Sequence, residues 1–183
     1  MKKTVLPLAL AAVLWLLAIC LCAFTGSFHP ACYAYAGTFA PLLFAFIYLF
    51  ACSKHKGFGV PTVILGIMLV LFLIVGEIDT IGAIIFIAII ALAEILRKVY
   101  GYDTKKGTRI SFLPVAFSFY AYASHWWTDT AGSLQAGVEE MPAGYADKMA
   151  VVIDNTTMLV VMLVLTIPVA ILAMRLAEKV LKQ

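Results

Sequence analysis

One continuous stretch, residues 4–53, contains no Asp, Glu, Lys or Arg. A helix needs roughly 20 apolar residues to cross the hydrocarbon core of a bilayer, so this stretch suits two spans joined by a short hairpin at "TGSFHP". The whole chain is 64% hydrophobic and only 13% charged. A soluble fold of this length has too little interior to bury so much apolar side chain. We therefore expect an integral membrane protein.

Four more charge-free stretches follow, and they extend the pattern to six spans. We predict an all-α integral membrane protein, a six-transmembrane-helix bundle that forms a single membrane domain over residues 1–183. The predicted spans are 5–24, 36–52, 60–76, 80–97, 110–128 and 150–174. The first span follows two lysines, as a secretory signal does. Its apolar run from Val5 to Phe24 is longer than the roughly 7–15 residues of a signal core, so we expect it to be retained.

The basic residues indicate the orientation of these spans. Twelve of the 13 Lys and Arg residues fall on one side of the predicted topology, and only Lys148 falls on the other. Short cytoplasmic segments carry an excess of Lys and Arg, so both termini should be cytoplasmic. The net charge of +3 has the same explanation, because the excess basic residues would contact anionic lipid headgroups. We expect the lipid bilayer, and no nucleic acid, as the partner of these charges.

Residues 129–149 form the one long outer connection of this topology. Connections longer than about 12–15 residues are commonly functional when they lack secondary structure of their own. The segment "YADKMAVVI" at its end could continue as an extramembrane helix into the sixth span. The outer loop is therefore a candidate part of a binding site.

The sequence carries no recognised catalytic motif. It contains no G-x-S-x-G, H-E-x-x-H, P-loop or dinucleotide-binding glycine pattern. We therefore expect no enzymatic activity, no cofactor and no resident metal, and transport would need an ATPase supplied by another subunit. His125 and Asp129 are four residues apart and would share a helix face. A membrane enzyme or a metal pair built on them is the alternative.

Aromatic and polar side chains gather at the predicted outer ends of the second and fifth spans. Tryptophan and tyrosine commonly mark the headgroup level without further role, but they also line ligand pockets. Successive helix residues point about 100° apart, so one of Trp126 and Trp127 should face the bundle, and the stripe Phe117, Tyr120 and Ser124 should face inward. The candidate substrate-binding residues are His29, Tyr33, Tyr35, Glu77, Tyr120, Ser124, His125, Trp126, Trp127, Asp129, Asp154 and Asn155.

Two acidic positions near span ends have competing interpretations. Asp154 precedes Asn155 at the start of the last charge-free stretch, where an ionisable group suggests function or a helix cap. Glu94 lies four residues before Lys98, so an i,i+4 ion pair at the membrane interface is the favoured interpretation.

The region "AIIALAEILRKVYGYDTKKGTRISFLPVAFSF" resembles the signature region of the Trep_Strep (MptaS) family of small membrane proteins. The resemblance rests on Ala93-Glu94, the Gly101-Tyr102 turn and the basic "TKKGTR" loop, and it extends to "AGYADKMAVVIDNTTMLVVMLVLTIPVAIL". The family is regarded as supplying substrate-binding S components of energy-coupling factor (ECF) transporters. The resemblance thus implies a bundle that captures a small molecule from outside. Its implied partners are a transmembrane coupling protein and two cytoplasmic ATPases.

The expected ligand is a vitamin- or cofactor-like molecule, with a porphyrin, haem or metal chelate suggested by the two outer histidines. Many S components dock their coupling protein through small residues spaced four apart on the first span, a pattern suited to close helix contact. Here only Ala18 and Cys22 keep that spacing, and Ala11, Ala18 and Cys22 form the candidate interface. An accessory or assembly protein without a ligand is the other alternative.

Overall fold

The computed structural model describes residues 2–182, and within that range it contains helices and turns but no strand. The all-α prediction is confirmed for these residues, while residues 1 and 183 of the predicted domain lie outside them. The helices are α1 (Lys2–Phe24), α2 (Pro30–Ala34), α3 (Ala36–Phe39), α4 (Pro41–Lys54), α5 (Val60–Val75), α6 (Thr80–Tyr100), α7 (Lys105–Val115), α8 (Ser118–Tyr122), α9 (His125–Thr128), α10 (Thr130–Glu140), α11 (Tyr145–Asp154) and α12 (Thr156–Leu181).

Among the described residues, three helices are long and apolar enough to cross a membrane. The apolar segments are Val5–Ser27, Thr80–Tyr100 and Thr156–Leu181, which correspond to α1, α6 and α12. The helices α4 and α5 are also apolar but shorter. Large aliphatic side chains on these helices are exposed at the protein surface, as expected where lipid is the solvent.

The fifth predicted span is not one helix. Residues 110–128 are divided among α7, α8 and α9, with breaks at Phe117 (φ −87°, ψ 2°) and Ala123 (φ −82°, ψ 4°). Pro114 lies in the last turn of α7, and its ring removes an amide donor and crowds the preceding turn. The predicted span 110–128 is thus divided among three short helices. The breaks redirect the chain before it reaches His125.

The sixth predicted span begins later than expected. Residues up to Asp154 belong to α11, and Asn155 (φ −81°, ψ 73°) separates it from α12. The Asn155 side-chain oxygen accepts from the Met158 amide at 2.9 Å and caps α12. The connection 129–149 is therefore largely helical, since it contains α10 and the first half of α11.

The helix α1 packs against α4 and α5 in the centre of the bundle, while α12 packs on α4. Trp15 of α1 stacks on Phe44 of α4 with ring centroids 4.2 Å apart. Small residues let helix backbones approach closely inside a membrane, and Ala11, Ala18 and Cys22 are all buried. The protein's own helices cover these three side chains in this structure, and the candidate partner interface stays a prediction.

The buried carboxylate of Glu94 caps α5 and does not act as the partner of Lys98. Its Oε1 accepts from the Gly59 amide at 2.9 Å, the Thr62 hydroxyl at 2.9 Å and the Thr62 amide at 3.3 Å. The first amides of a helix lack intrahelical acceptors, and the helix dipole favours a negative charge there. The predicted Glu94–Lys98 interaction was therefore wrong, and Lys98 is exposed.

Candidate functional site

A cavity of about 620 Å³ opens at one end of the bundle. It lies where α1 ends, where α5 turns into α6, and beneath α9, α10 and the start of α11. The basic last turns of α6 and α12 lie at the other end of those helices. The cavity is lined by Ala23, Gly26, Ser27, Tyr33, Gly76, Glu77, Ile78, Asp79, Tyr122, His125, Trp126, Asp129, Gly132, Ser133, Ala136, Gly137, Glu140, Met141, Pro142 and Tyr145.

The turn between α5 and α6 supplies two carboxylates to the cavity rim. Gly76 ends α5 with φ +77°, a left-handed conformation that favours glycine. Asp79 then caps α6 by accepting from the Gly82 amide at 2.7 Å, and its other oxygen accepts from the Thr128 hydroxyl at 2.8 Å. Glu77 accepts from the Tyr122 hydroxyl at 3.2 Å. These bonds tie the turn to the α8–α9 segment.

His125 is held by α10. Its Nδ1 lies 2.8 Å from the hydroxyl oxygen of Ser133, and that hydroxyl donates to the His125 carbonyl at 3.0 Å. The single serine proton can go to either acceptor, and the tautomer of the imidazole decides which of Nδ1 and Ser133 Oγ donates in their contact. The two contacts orient the imidazole at the cavity wall.

Aromatic rings form one wall of the cavity. Tyr33 meets Trp126 edge-on, with centroids 6.2 Å apart and planes at 78°. Burial raises the pKa of Tyr33 to about 12, so its phenol keeps its proton at physiological pH. Gly26 allows this wall to close, because a methyl group there would lie 3.0 Å from Tyr33 Cβ and 3.2 Å from the Tyr145 hydroxyl.

The structure brings five of the twelve predicted binding residues to this cavity: Tyr33, Glu77, His125, Trp126 and Asp129. Of the two tryptophans, Trp126 is buried and lines the cavity, as the helix geometry predicts for one of the pair, while Trp127 is only partly buried. Asp129 also caps α10 by accepting from the Gly132 amide at 3.3 Å.

Most of the other predicted binding residues make structural contacts elsewhere. Tyr35 donates to the Val152 carbonyl at 3.1 Å, and the Tyr120 hydroxyl lies 2.6 Å from that of Thr38. The buried Ser124 hydroxyl donates to the Ala121 carbonyl at 2.9 Å. His29 is exposed and caps α2. Asp154 is also exposed, at the end of α11, and Asn155 provides the cap that was one interpretation of Asp154.

Several lining residues were missed by sequence reasoning. Asp79 lies two residues after Glu77 in "GEIDT", so its position was visible in the sequence. Ser133, Glu140 and Tyr145 belong to the outer connection, whose helices are short and only weakly apolar. Tyr122 lies two residues after the predicted binding residue Tyr120, near the same end of the predicted fifth span. Within residues 2–182, no group of three or more His, Cys, Asp or Glu side chains is arranged to hold a metal ion.

Comparison with known proteins identifies the family. A family model described as "Hypothetical bacterial integral membrane protein (Trep_Strep)" matches residues 2–183. No curated protein and no solved structure matches the chain. The family description agrees with the long apolar helices described above. The chain is therefore a multi-pass integral membrane protein that belongs to the bacterial Trep_Strep family.

Proposed function

We propose that this protein is the substrate-capture (S) subunit of an ECF-type importer. In this role it binds a small vitamin- or cofactor-like molecule from outside the cell, and separate ATPase subunits power uptake. The proposed partners are a transmembrane coupling protein and two cytoplasmic ATPases. The proposal rests on the sequence resemblance and on the cavity at the end of the bundle.

The cavity is the observation that carries this proposal. Its volume of about 620 Å³ lies within the roughly 300–1,000 Å³ typical of small-molecule sites. Apolar and aromatic walls combine there with a few polar groups, which is the usual composition of such sites. A ligand of vitamin size would contact Trp126 and His125 on one side and the α5–α6 turn on the other.

The proposed topology has six membrane segments with both termini in the cytoplasm. In it, α4 and α5 are short spans, and the α7–α9 segment crosses as a broken one. Non-helical backbone is tolerated at membrane depth where it is buried in protein; Ala123 at the second break and Ala116 beside the first are buried. The unequal distribution of Lys and Arg supports an outer-face position for the cavity in this topology.

The proposed role is binding without catalysis. An enzyme built on His125 and Asp129 would need the two side chains to act together. Instead, His125 pairs with Ser133 and Asp129 accepts from the Gly132 amide.

The test is to isolate the tagged full-length chain from membranes of its native host in mild detergent. A capture subunit should copurify with one coupling protein and two ATPases, and native mass spectrometry should detect a retained small molecule. An unrelated multi-pass protein with the same tag is the control. Recovery of the chain with neither partners nor ligand would instead favour an accessory or assembly role.

A further inference from the structure

Every charged side chain that lines the outer cavity is a carboxylate. Two of them, Glu77 and Asp79, come from the α5–α6 turn, and the other two are Asp129 and Glu140 at the two ends of α10. Asp79 and Asp129 each use oxygens to cap a helix. Glu77 and Glu140 are exposed, so their carboxylates are accessible to a ligand.

A second cavity shows that this charge pattern is not general. That cavity, of about 380 Å³, lies at the other end of the bundle and contains both signs of charge. Its lining includes Lys56 and Asp103, which form an ion pair at 2.9 Å, as well as Lys105 and Glu178. A cleft lined by a single sign of charge focuses the electrostatic field and attracts ligands of the opposite sign.

The aromatic wall is suited to the same kind of ligand. Aromatic faces attract organic cations through the ring quadrupole, with tryptophan the strongest. Tyr33, Tyr122, Trp126 and Tyr145 all line the cavity. The carboxylates and the rings therefore favour one ligand class by two independent mechanisms, charge attraction and cation–π contact.

We infer that the outer cavity binds an organic cation, a flat or partly apolar molecule with a positively charged nitrogen. Glu77 and Glu140 contact the charge, and Trp126 with the tyrosines contacts the ring. This inference rests on the proposed capture function and names its substrate class. It disfavours haem and other porphyrins with propionate groups, because their carboxylates would face four carboxylates of the protein.

The test compares three probes of nearly equal shape. They are nicotinamide methylated on its ring nitrogen (a cation), nicotinamide (neutral) and nicotinate (an anion), titrated by calorimetry into the full chain in lipid nanodiscs. The cation should bind about tenfold tighter than nicotinamide, and nicotinate should bind most weakly. Raising the salt from about 0.05 M to about 0.5 M should weaken binding of the cation most.

The double variant Glu77→Gln with Glu140→Gln should abolish the preference for the cation. Glu139→Gln is the matched control, since Glu139 precedes Glu140, lies outside the cavity lining and contacts Gln135. Both variants leave the helix caps Asp79 and Asp129 intact, and thermal unfolding confirms that each is folded.

Equal affinity for the three probes, tighter binding of nicotinate, or no binding of any probe would overturn the inference. Any of these results alongside copurified ATPases would leave the capture function standing and remove only the charge assignment. A preference for the cation without copurified partners or uptake would support the charge assignment and contradict the capture function, because the site would then exist in a protein that is not an importer subunit.

Discussion

Replacing Glu94 should destabilise the protein far more than replacing Lys98. The Glu94 carboxylate accepts three hydrogen bonds at the start of α5, and the amide of buried Gly59 is one of the donors. Hydrogen bonds to charged groups contribute roughly 1.5–3 kcal/mol, and a buried donor left without an acceptor costs about 1–3 kcal/mol. The exposed Thr62 can recover bonds to water, so the Gly59 amide dominates the loss. We therefore expect Glu94→Ala to cost about 2–4 kcal/mol.

Two further variants separate loss of the helix-cap charge from loss of an ion pair as the cause of the destabilisation. Glu94→Gln keeps one acceptor oxygen but loses the charge at the helix N-terminus, so it should cost about 1 kcal/mol. Lys98→Ala should change stability by no more than about 0.5 kcal/mol, as expected for an exposed position. The assay is equilibrium unfolding of the full chain by sodium dodecyl sulfate in mixed micelles, followed by circular dichroism.

A comparable loss of unfolding free energy in Glu94→Ala and Lys98→Ala would contradict the capping role of Glu94. That outcome would restore the i,i+4 ion pair expected from the sequence. A Glu94→Ala protein within about 0.5 kcal/mol of the original would equally contradict it, because it would mean that the Gly59 amide finds another acceptor.

The contact between Gly37 and Tyr120 and the cavity wall at Trp126 can each be tested by substitution. Gly37→Ala should cost about 1–3 kcal/mol, because a methyl group there would lie 2.6 Å from the Tyr120 ring. A methyl group at Gly66 would meet nothing within 4 Å, so Gly66→Ala should raise the unfolding free energy by about 0.5–1 kcal/mol in the same assay. Equal changes in unfolding free energy for the two variants would contradict the packing described here. Trp126→Phe should weaken binding of the ring-methylated nicotinamide about threefold, whereas Trp127→Phe should leave it nearly unchanged by calorimetry. Equal effects would place Trp126 away from the ligand.

Much of the fold could be predicted from the sequence because a helix that crosses the lipid core needs an apolar segment of a minimum length. The position of α1 follows from an uninterrupted apolar run of sufficient length, whereas that of α6 required the charge-free stretch 80–93 to be extended past Glu94. Residues 110–128 are also free of charge up to Thr128, yet the helix breaks there. A proline in a membrane helix can be accommodated by its neighbours, so Pro114 alone did not reveal where the backbone would turn. The breaks depend on contacts made across the bundle.

Only part of the candidate site could be predicted from the sequence, for a related reason. The topology placed Tyr33, Tyr35 and Tyr120 at the same end of the bundle, but it did not show which hydroxyls were already used. Tyr35 donates to a backbone carbonyl of α11, and Tyr120 is paired with Thr38. Tyr33 lines the cavity instead. Hydropathy reports depth in the membrane, whereas the partner of a hydroxyl depends on packing between distant segments.

Under the proposed capture function, the packing of the bundle constrains how a bound molecule could leave the cavity toward the opposite side of the membrane. Trp15 and Phe44 stack at the centre with no exposed surface, and Tyr48, one turn further along α4, is equally buried. The Tyr48 hydroxyl lies 2.8 Å from that of Ser111, which links α4 to α7. Protein interiors packed in this way are not fluid, so a ligand could pass only if several helices separated. Reorientation of the whole chain in the membrane would preserve these contacts and still present the cavity to the other side. Under the proposed capture function, the packing therefore favours movement of the protein as a unit over passage of the ligand through its centre.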